Sequence, residues 1–352
     1  MDDEAVEKPM NAHKAPQLLL AVLALATAVA HAVPVIPEES GWSGHLNLGV
    51  GAGSSDSNML AGISSIDLGD DTISSLEDSP GSEDIVMPVL QFELAYTLGD
   101  TFTQVYLGNQ SADYISFDSA TTLETHLGVR QYIADIGTVD ISLSASSLAT
   151  DVWKDPYVVD SARGDTERTT SGINITWGDI MGSSFDFSWS SKEIEIDDEE
   201  SGVALDLSRA DQRLLRREGR YNRIDLYYEW EINEHHSLVP SIGYLDFDLD
   251  GDAMAEDGMA AQLKYSYKRD RWRFVTNVFY QDLESDTDNP IYGDTREVET
   301  IGGSITGFYA KPFGLENWTA NASASYYDGD STINFYDSSF GLVSIGMFYR
   351  FD

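Results

Sequence analysis

Tyr221-Asn222-Arg223-Ile224-Asp225-Leu226-Tyr227-Tyr228-Glu229-Trp230-Glu231-Ile232 alternates at period two. Ile224, Leu226, Tyr228, Trp230 and Ile232 share one parity, and Arg223, Asp225, Tyr227, Glu229 and Glu231 share the other. A helix would scatter both sets around its circumference. A strand keeps each set on its own side, so this stretch reads as a strand with one dry and one wet face. The pattern recurs. Met259, Ala261, Leu263, Tyr265 and Tyr267 oppose Gln262, Lys264, Ser266 and Lys268, and Val139, Ile141, Leu143 and Ala145 oppose Asp140, Ser142, Ser144 and Ser146. Phe185, Phe187 and Trp189 oppose Asp186, Ser188 and Ser190.

Working outward from these segments, strands are expected near 43–53, 86–98, 101–109, 121–133, 137–146, 168–178, 183–194, 220–232, 235–248, 257–268, 271–283, 297–310, 317–327 and 340–351. Their connections alternate strictly between short turns and long loops. Such an asymmetry, with an even strand number and strands of about ten residues, suits an outer-membrane barrel with both termini on the short-turn side. The expected fold is all-β: a transmembrane antiparallel up-and-down β-barrel of fourteen strands, with twelve to sixteen in range. A secreted β-sandwich or propeller also shows many short strands and stays open at this point.

Composition narrows the classes. The 352 residues hold 60 acidic and 21 basic side chains, a formal charge of -39. Nucleic-acid binding needs a basic footprint, so no nucleic-acid partner is expected. Cysteine is absent, which excludes disulfides and thiolate chemistry. A hydrophobic share of 42% is too rich for a disordered acidic tail. Only one apolar run is long, LLLAVLALATAVA over residues 18–30, and Ala30-His31-Ala32 follows as a small-x-small cleavage site. Residues 1–32 are expected to be a signal peptide. The stretch ahead of Met10 carries Asp2, Asp3, Glu4 and Glu7 against Lys8, the wrong sign for a signal; a start at Met10 leaves only Lys14. Residues 33–42 then form a short periplasmic segment, and 43–352 the barrel with long acidic extracellular loops.

The chain ends Ser344-Ile345-Gly346-Met347-Phe348-Tyr349-Arg350-Phe351-Asp352. Ser344, Gly346, Tyr349 and Phe351 are similar to the C-terminal signal read by the barrel-assembly machinery, which would be a partner. Asp352 departs from that signal, which usually stops at the aromatic. The stretch Ile36-Pro37-Glu38-Glu39-Ser40-Gly41-Trp42-Ser43-Gly44, then Leu46-Asn47-Leu48-Gly49-Val50-Gly51 and Ser57-Asn58-Met59-Leu60-Ala61-Gly62, resembles an uncharacterised family of gammaproteobacterial outer-membrane proteins, often from marine genera, known as a domain of unknown function. The resemblance implies a barrel in the outer membrane of a Gram-negative bacterium. It implies no activity and no catalytic residue.

Three groups of residues are candidates for function. If the apolar parity faces lipid, the pore-lining set includes Glu93, Glu124, His126, Arg130, Asp140, Asp186, Arg223, Asp225, Glu229, Glu231, Lys264, Lys268, Arg273 and Arg350. Charges facing lipid near mid-membrane cost several kcal/mol, so they belong inside. Such a lumen is either a polar pore or a barrel closed by ion pairs, and at fourteen strands it is wider than side chains alone readily fill. Second, Asp246, Asp248, Asp250 and Asp252 with Gly251 resemble the start of a calcium loop. A strand end followed by a glycine turn explains the same letters, and no other cofactor is expected. Third, Arg209, Arg213, Arg216, Arg217 and Arg220 crowd a segment where Ser208 and Asp211 read as a helix cap. These arginines suit lipopolysaccharide phosphates, or they only neutralise Glu195 and the acids of 197–200.

No G-x-S-x-G or H-E-x-x-H occurs, so the expectation is not an enzyme. It is a porin-like channel for small hydrophilic solutes, cationic or neutral by preference, in contact with outer-membrane lipid and lipopolysaccharide. Glu93, Asp225, Glu229 and Glu231 would concentrate the cations. The alternative is a plugged structural or adhesin-type barrel whose acidic loops, ordered by Ca²⁺, bind surface partners. A fatty-acid transporter of this size would need a plug domain ahead of the first strand, for which 33–42 is too short.

Overall fold

The computed structural model describes residues 33–109 and 124–351. Eighteen strands form one sheet: β1 (Gly41–Ser57), β2 (Leu60–Ile63), β3 (Ile66–Asp67), β4 (Ser82–Leu98), β5 (Thr103–Gly108), β6 (Glu124–Ile133), β7 (Gly137–Ser146), β8 (Thr150–Trp153), β9 (Asp165–Gly178), β10 (Phe185–Ile196), β11 (Gly219–Tyr228), β12 (Trp230–Asn233), β13 (His236–Leu249), β14 (Glu256–Arg269), β15 (Trp272–Glu284), β16 (Glu297–Ala310), β17 (Trp318–Ser331) and β18 (Ser338–Phe351). β11 and β12 are one wall strand, both paired with β13 and separated only at Glu229. β2, β3 and β8 are short loop strands. That leaves fourteen antiparallel wall strands. The sheet closes where β1 pairs with β18, from Gly44↔Phe351 to Ser57↔Ser338. Closure removes both edges and satisfies the backbone within the wall.

The alternation does what the sequence implied. Leu46, Leu48 and Val50 on β1, and Val343 and Ile345 on β18, project outward, the last two each 63% exposed. An aqueous protein would not leave such a belt bare, and a bilayer covers it. At the short-turn end the belt is bounded by outward aromatic pairs: Trp42 with Tyr96, Trp272 with Tyr309, and Trp318 with Tyr349, at ring separations of 5.1, 4.6 and 5.0 Å. At the other end Tyr244, Tyr280 and Tyr326 donate to Asp257, Glu299 and Asp328. Trp272 and Tyr280 stand eight residues apart on β15, about 27 Å along a strand. With the usual tilt this approximates the apolar height of a membrane barrel.

Several wall strands outrun their expected limits. β4 begins at Ser82 rather than 86, and β9 at Asp165 rather than 168. Beyond the membrane both faces are wet, so apolar alternation fades while the backbone ladder continues. The short turns use left-handed residues, among them Asp135, Asp179 and Asp270. Gly137 sits at φ +115°, where a side chain would strike the Gly178 carbonyl.

A closed ladder of this kind should survive detergent. Unboiled protein is expected to migrate differently from boiled protein on a denaturing gel. Identical mobility, together with release from membranes by carbonate, would contradict the barrel.

Candidate functional site

The lumen wall is built from the wet parity, and several of its charges meet in pairs. Arg130 on β6 forms a fork with Glu93 on β4, at 3.1 and 2.7 Å, and its Nε donates to Asp140 on β7 at 3.0 Å. Its Nη1 also donates to Gln104 on β5. The guanidinium lies 3.7 Å from the centre of the Tyr106 ring, and Tyr106 donates its hydroxyl to Asp140 at 2.8 Å. Tyr106 can lie flat there because its register partner is Gly128, where any Cβ would collide with the ring. One arginine thus ties four strands together through charge-assisted bonds.

Around the wall, Arg223 is bound by Asp225 two residues along at 2.7 and 2.9 Å. Lys192 meets the buried Glu124 at 3.0 Å, with His126 beside it at 3.8 Å. Lys264 has Glu229 and Asp186 as its charged neighbours. Asp186 also accepts from the Asp179 amide, so it fastens a short turn. Lys268 lies in register with Arg273, and Arg350 with His45, which stacks on Phe348.

Glu231 keeps the inward parity of its strand, in register with Ser237, and is exposed at the short-turn rim. One expectation needs correction. Glu93 and Asp225 carry partners at hydrogen-bond distance, so they are not free to concentrate cations. Alternation predicts which face a charge takes, but pairing depends on register. The surplus acid lies elsewhere: Asp246, Asp257, Asp282, Glu284, Glu297, Glu299, Asp328 and Asp330 occupy the outward parity of their strands at or beyond the tyrosine girdle.

Ordered segments pack at both ends. At the short-turn end residues 33–40 run between the ends of β9 and β4. Ser40 Oγ accepts from the Gly99 amide beside β4, while Val33 packs against Gly178 at the end of β9. Val33 and Ile36 are buried. At the long-loop end the loops share an apolar core of Tyr157, Leu215, Met254, Ile333, Phe335 and Tyr336, joined by Met59, Ile73 and Ile291. The hydroxyls of Tyr157 and Tyr336 bond each other at 2.7 Å, and Asn289 donates to Tyr336 at the same distance. Burial pushes Tyr157 well above its ordinary pKa and raises Tyr336 as well, so both stay neutral. Asn58 donates to the Phe335 carbonyl, and Arg163 donates to the Asn58 carbonyl. Burial lowers Arg163 to about 10, leaving it charged at neutral pH.

Sequence reasoning missed this cap. Its signal was available as large apolar residues scattered without period through acidic loops. Below the cap a second cluster, Ile194, Tyr221, Leu245, Phe247 and Leu283, makes the adjoining lumen wall apolar.

The arginine segment divides. Helix α1 (Arg209–Leu214) is capped by Ser208, which accepts from the Asp211 amide. Arg209, Arg213 and Arg216 are exposed. Arg217 is buried, paired with Glu199 at 3.0 Å and bound to the Trp153 carbonyl at 2.6 Å. Arg220 is on β11 rather than the loop and meets Glu193. Changing Arg213 and Arg216 to Gln is therefore expected to leave the fold intact. Arg217→Gln strands Glu199 in a buried position and should expose the loops to protease; equal digestion of the two variants would contradict this division.

The four aspartates do not converge into a calcium site. Asp246 and Asp248 lie on the outer parity of β13 while Asp250 and Asp252 are exposed beyond it, and no cluster fit for a metal occurs among the described residues. On β18, Tyr349 and Phe351 face outward, while Ser344 and Gly346 face inward, with Ser344 bonding Ser323. Asp352 lies outside the described residues.

A closed, belted, fourteen-strand wall with a polar inside defines a transmembrane β-barrel of the outer-membrane type. Residues 41–350 match the protein family of unknown function DUF2860, and the chain belongs to that family. No curated protein matches it. Among solved structures it is similar to the outer membrane channel DcaP of Acinetobacter baumannii (10% identity, 89% of this chain and 97% of that one, TM-score 0.41). It is also similar to a Pseudomonas aeruginosa FadL homologue (11%, 87% and 90%, TM-score 0.42) and to the CymD monoaromatic hydrocarbon channel (10%, 88% and 88%, TM-score 0.44). The hydrogen-bond ladder, not these likenesses, defines the barrel.

Proposed function

We propose that this protein is an outer-membrane channel through which small hydrophilic solutes diffuse, cationic or neutral in preference, with its long loops outside and its loop cap closing it at rest. The carrying observation is the lumen wall. Charges from at least eight strands face inward, several of them held in ion pairs, and polar groups rather than an apolar filling line most of the wall, which leaves a polar path once the ends open. The reading contains no catalytic step. Any cation preference comes from carboxylates at and above the tyrosine girdle, because the acids along the path are largely paired.

The channel reading is tested in planar bilayers. A reversal potential in a KCl gradient should show a cation preference of a few-fold at most. It should shrink as salt rises, since exposed charges are screened beyond about 8 Å in physiological salt. Anion preference would overturn it. A plugged barrel whose loops bind a surface partner is favoured by one observation, the continuous apolar core of the cap; absence of conductance even in a cap-disrupted variant would establish that reading instead.

A further inference from the structure

Between the cap and the upper lumen wall lies a cavity of about 120 Å³. Its apolar side is made by Val152, Ile194, Ile196, Phe247 and Met254. Its polar side is made by Arg168 on β9, Arg217 from the loop after α1, Arg296 just ahead of β16, and Glu256 on β14. Three guanidiniums thus share the wall with one carboxylate, in a chain whose acids outnumber its bases almost threefold. Arg217 and Arg296 are fixed in place by Glu199 and Glu256, at 3.0 and 2.8 Å. They cannot swing out to solvent as surface arginines do. The buried Nε of Arg296 has no hydrogen-bond partner among the described residues. A buried donor left without an acceptor is costly, and a bound acceptor removes that cost.

We infer that this cavity is a binding site for a small amphipathic carboxylate, its head on the arginine side and its hydrocarbon against Ile194, Ile196 and Phe247. Size follows from the volume. A dry cavity of about 150 Å³ takes one benzene ring, so this one holds about six carbon atoms. Charge sign follows from the guanidiniums, whose planar forks match a carboxylate. A neutral hydroxyl could accept from the buried arginine donor but adds no charge to the bond, and an amine would meet three cations against one carboxylate. Because Met254 and Arg217 belong to the loops that form the cap, a ligand here touches the lumen wall and the closure at once.

The site is independent of whether the barrel conducts, so its test uses no current. Folded protein in nanodiscs is titrated calorimetrically with hexanoate, hexanol, hexylamine and acetate. Hexanoate should bind one per chain. Hexanol should bind at least tenfold more weakly, and hexylamine and acetate should give no measurable heat. Arg168→Gln should weaken hexanoate at least tenfold while leaving hexanol unchanged, and Ile194→Trp, which fills the cavity, should weaken both. The unboiled gel form shows which variants remain folded. If a variant unfolds, the head-group series on the unmodified protein still decides. Equal binding of the three six-carbon probes, or hexanoate binding indifferent to both folded variants, would overturn the assignment.

Discussion

Phe335→Asp is expected to hold the long-loop mouth open. Phe335 is fully buried at the centre of the cap, with its ring against Tyr157, Tyr292 and Tyr336 at centroid distances of 5.3, 6.2 and 5.3 Å. Removing such a ring alone costs about 3–5 kcal/mol, and burying a carboxylate in its place costs more. The barrel does not share that cost, because its wall is closed by backbone bonds that the loops do not make. The cap should therefore separate while the heat-modifiable form persists. In bilayers the variant should pass long, stable openings where the unmodified protein is mostly closed. Single-channel recordings check this, and unchanged traces from a variant with demonstrably proteolysed loops would show that the cap does not control the path. Alkaline pH should act in the same direction. Tyr157 and Tyr336 are held neutral in the folded cap above their ordinary value of 10.0. Unfolded loops release those protons first, so the stability they contribute is complete below about pH 10 and falls as pH rises beyond it.

The second large effect concerns Arg130. Arg130→Met removes the only cation bonded to both Glu93 and Asp140 in this network and leaves two carboxylates facing each other across the wall. Breaking a buried pair from one side typically costs about 3–5 kcal/mol. The unboiled form should then convert to the boiled form at a temperature lower by roughly 5–15 °C. Any open state should also become more cation-selective, since the freed acids now face the path. Adding Glu93→Gln and Asp140→Asn to the same chain should restore much of the thermal shift and abolish the added selectivity. Failure of that triple variant to recover would mean that Arg130 acts through its packing on Tyr106 rather than through charge.

The fold was largely legible because a barrel wall is a repeated local signal. Each strand from β9 to β18 carries its own alternation, so errors of two or three residues at an end do not change the count. Glu229 shows the limit: the sequence runs without pause from 221 to 232, yet the ladder is interrupted there, where the Glu229 amide donates to Ser184 in the neighbouring turn. The candidate site was less legible. Parity placed Arg130, Glu93 and Asp140 on the inner face, but nothing local says that residues 37 positions apart share a bidentate bond. The arginine run looked like one unit because six arginines stand within sixteen positions; in space Arg217 faces the core, Arg220 the outside of the wall, and Arg223 the lumen.

What the sequence by itself determined is everything that repeats along the chain: strand class, outward belt, inward charges, the short-turn and long-loop ends. Period-two alternation is a property of neighbouring residues and needs no knowledge of distant ones. What only the tertiary structure decided is everything that depends on register and closure. Which carboxylate meets which arginine is set by strand stagger. Whether Val33 reaches Gly178 is set by the width of the closed ring. The cap is the clearest case. Met59, Tyr157, Leu215, Met254, Ile291 and Phe335 come from six separate loops and meet in one cluster. They form a core because ring closure brings every second strand end to the same mouth.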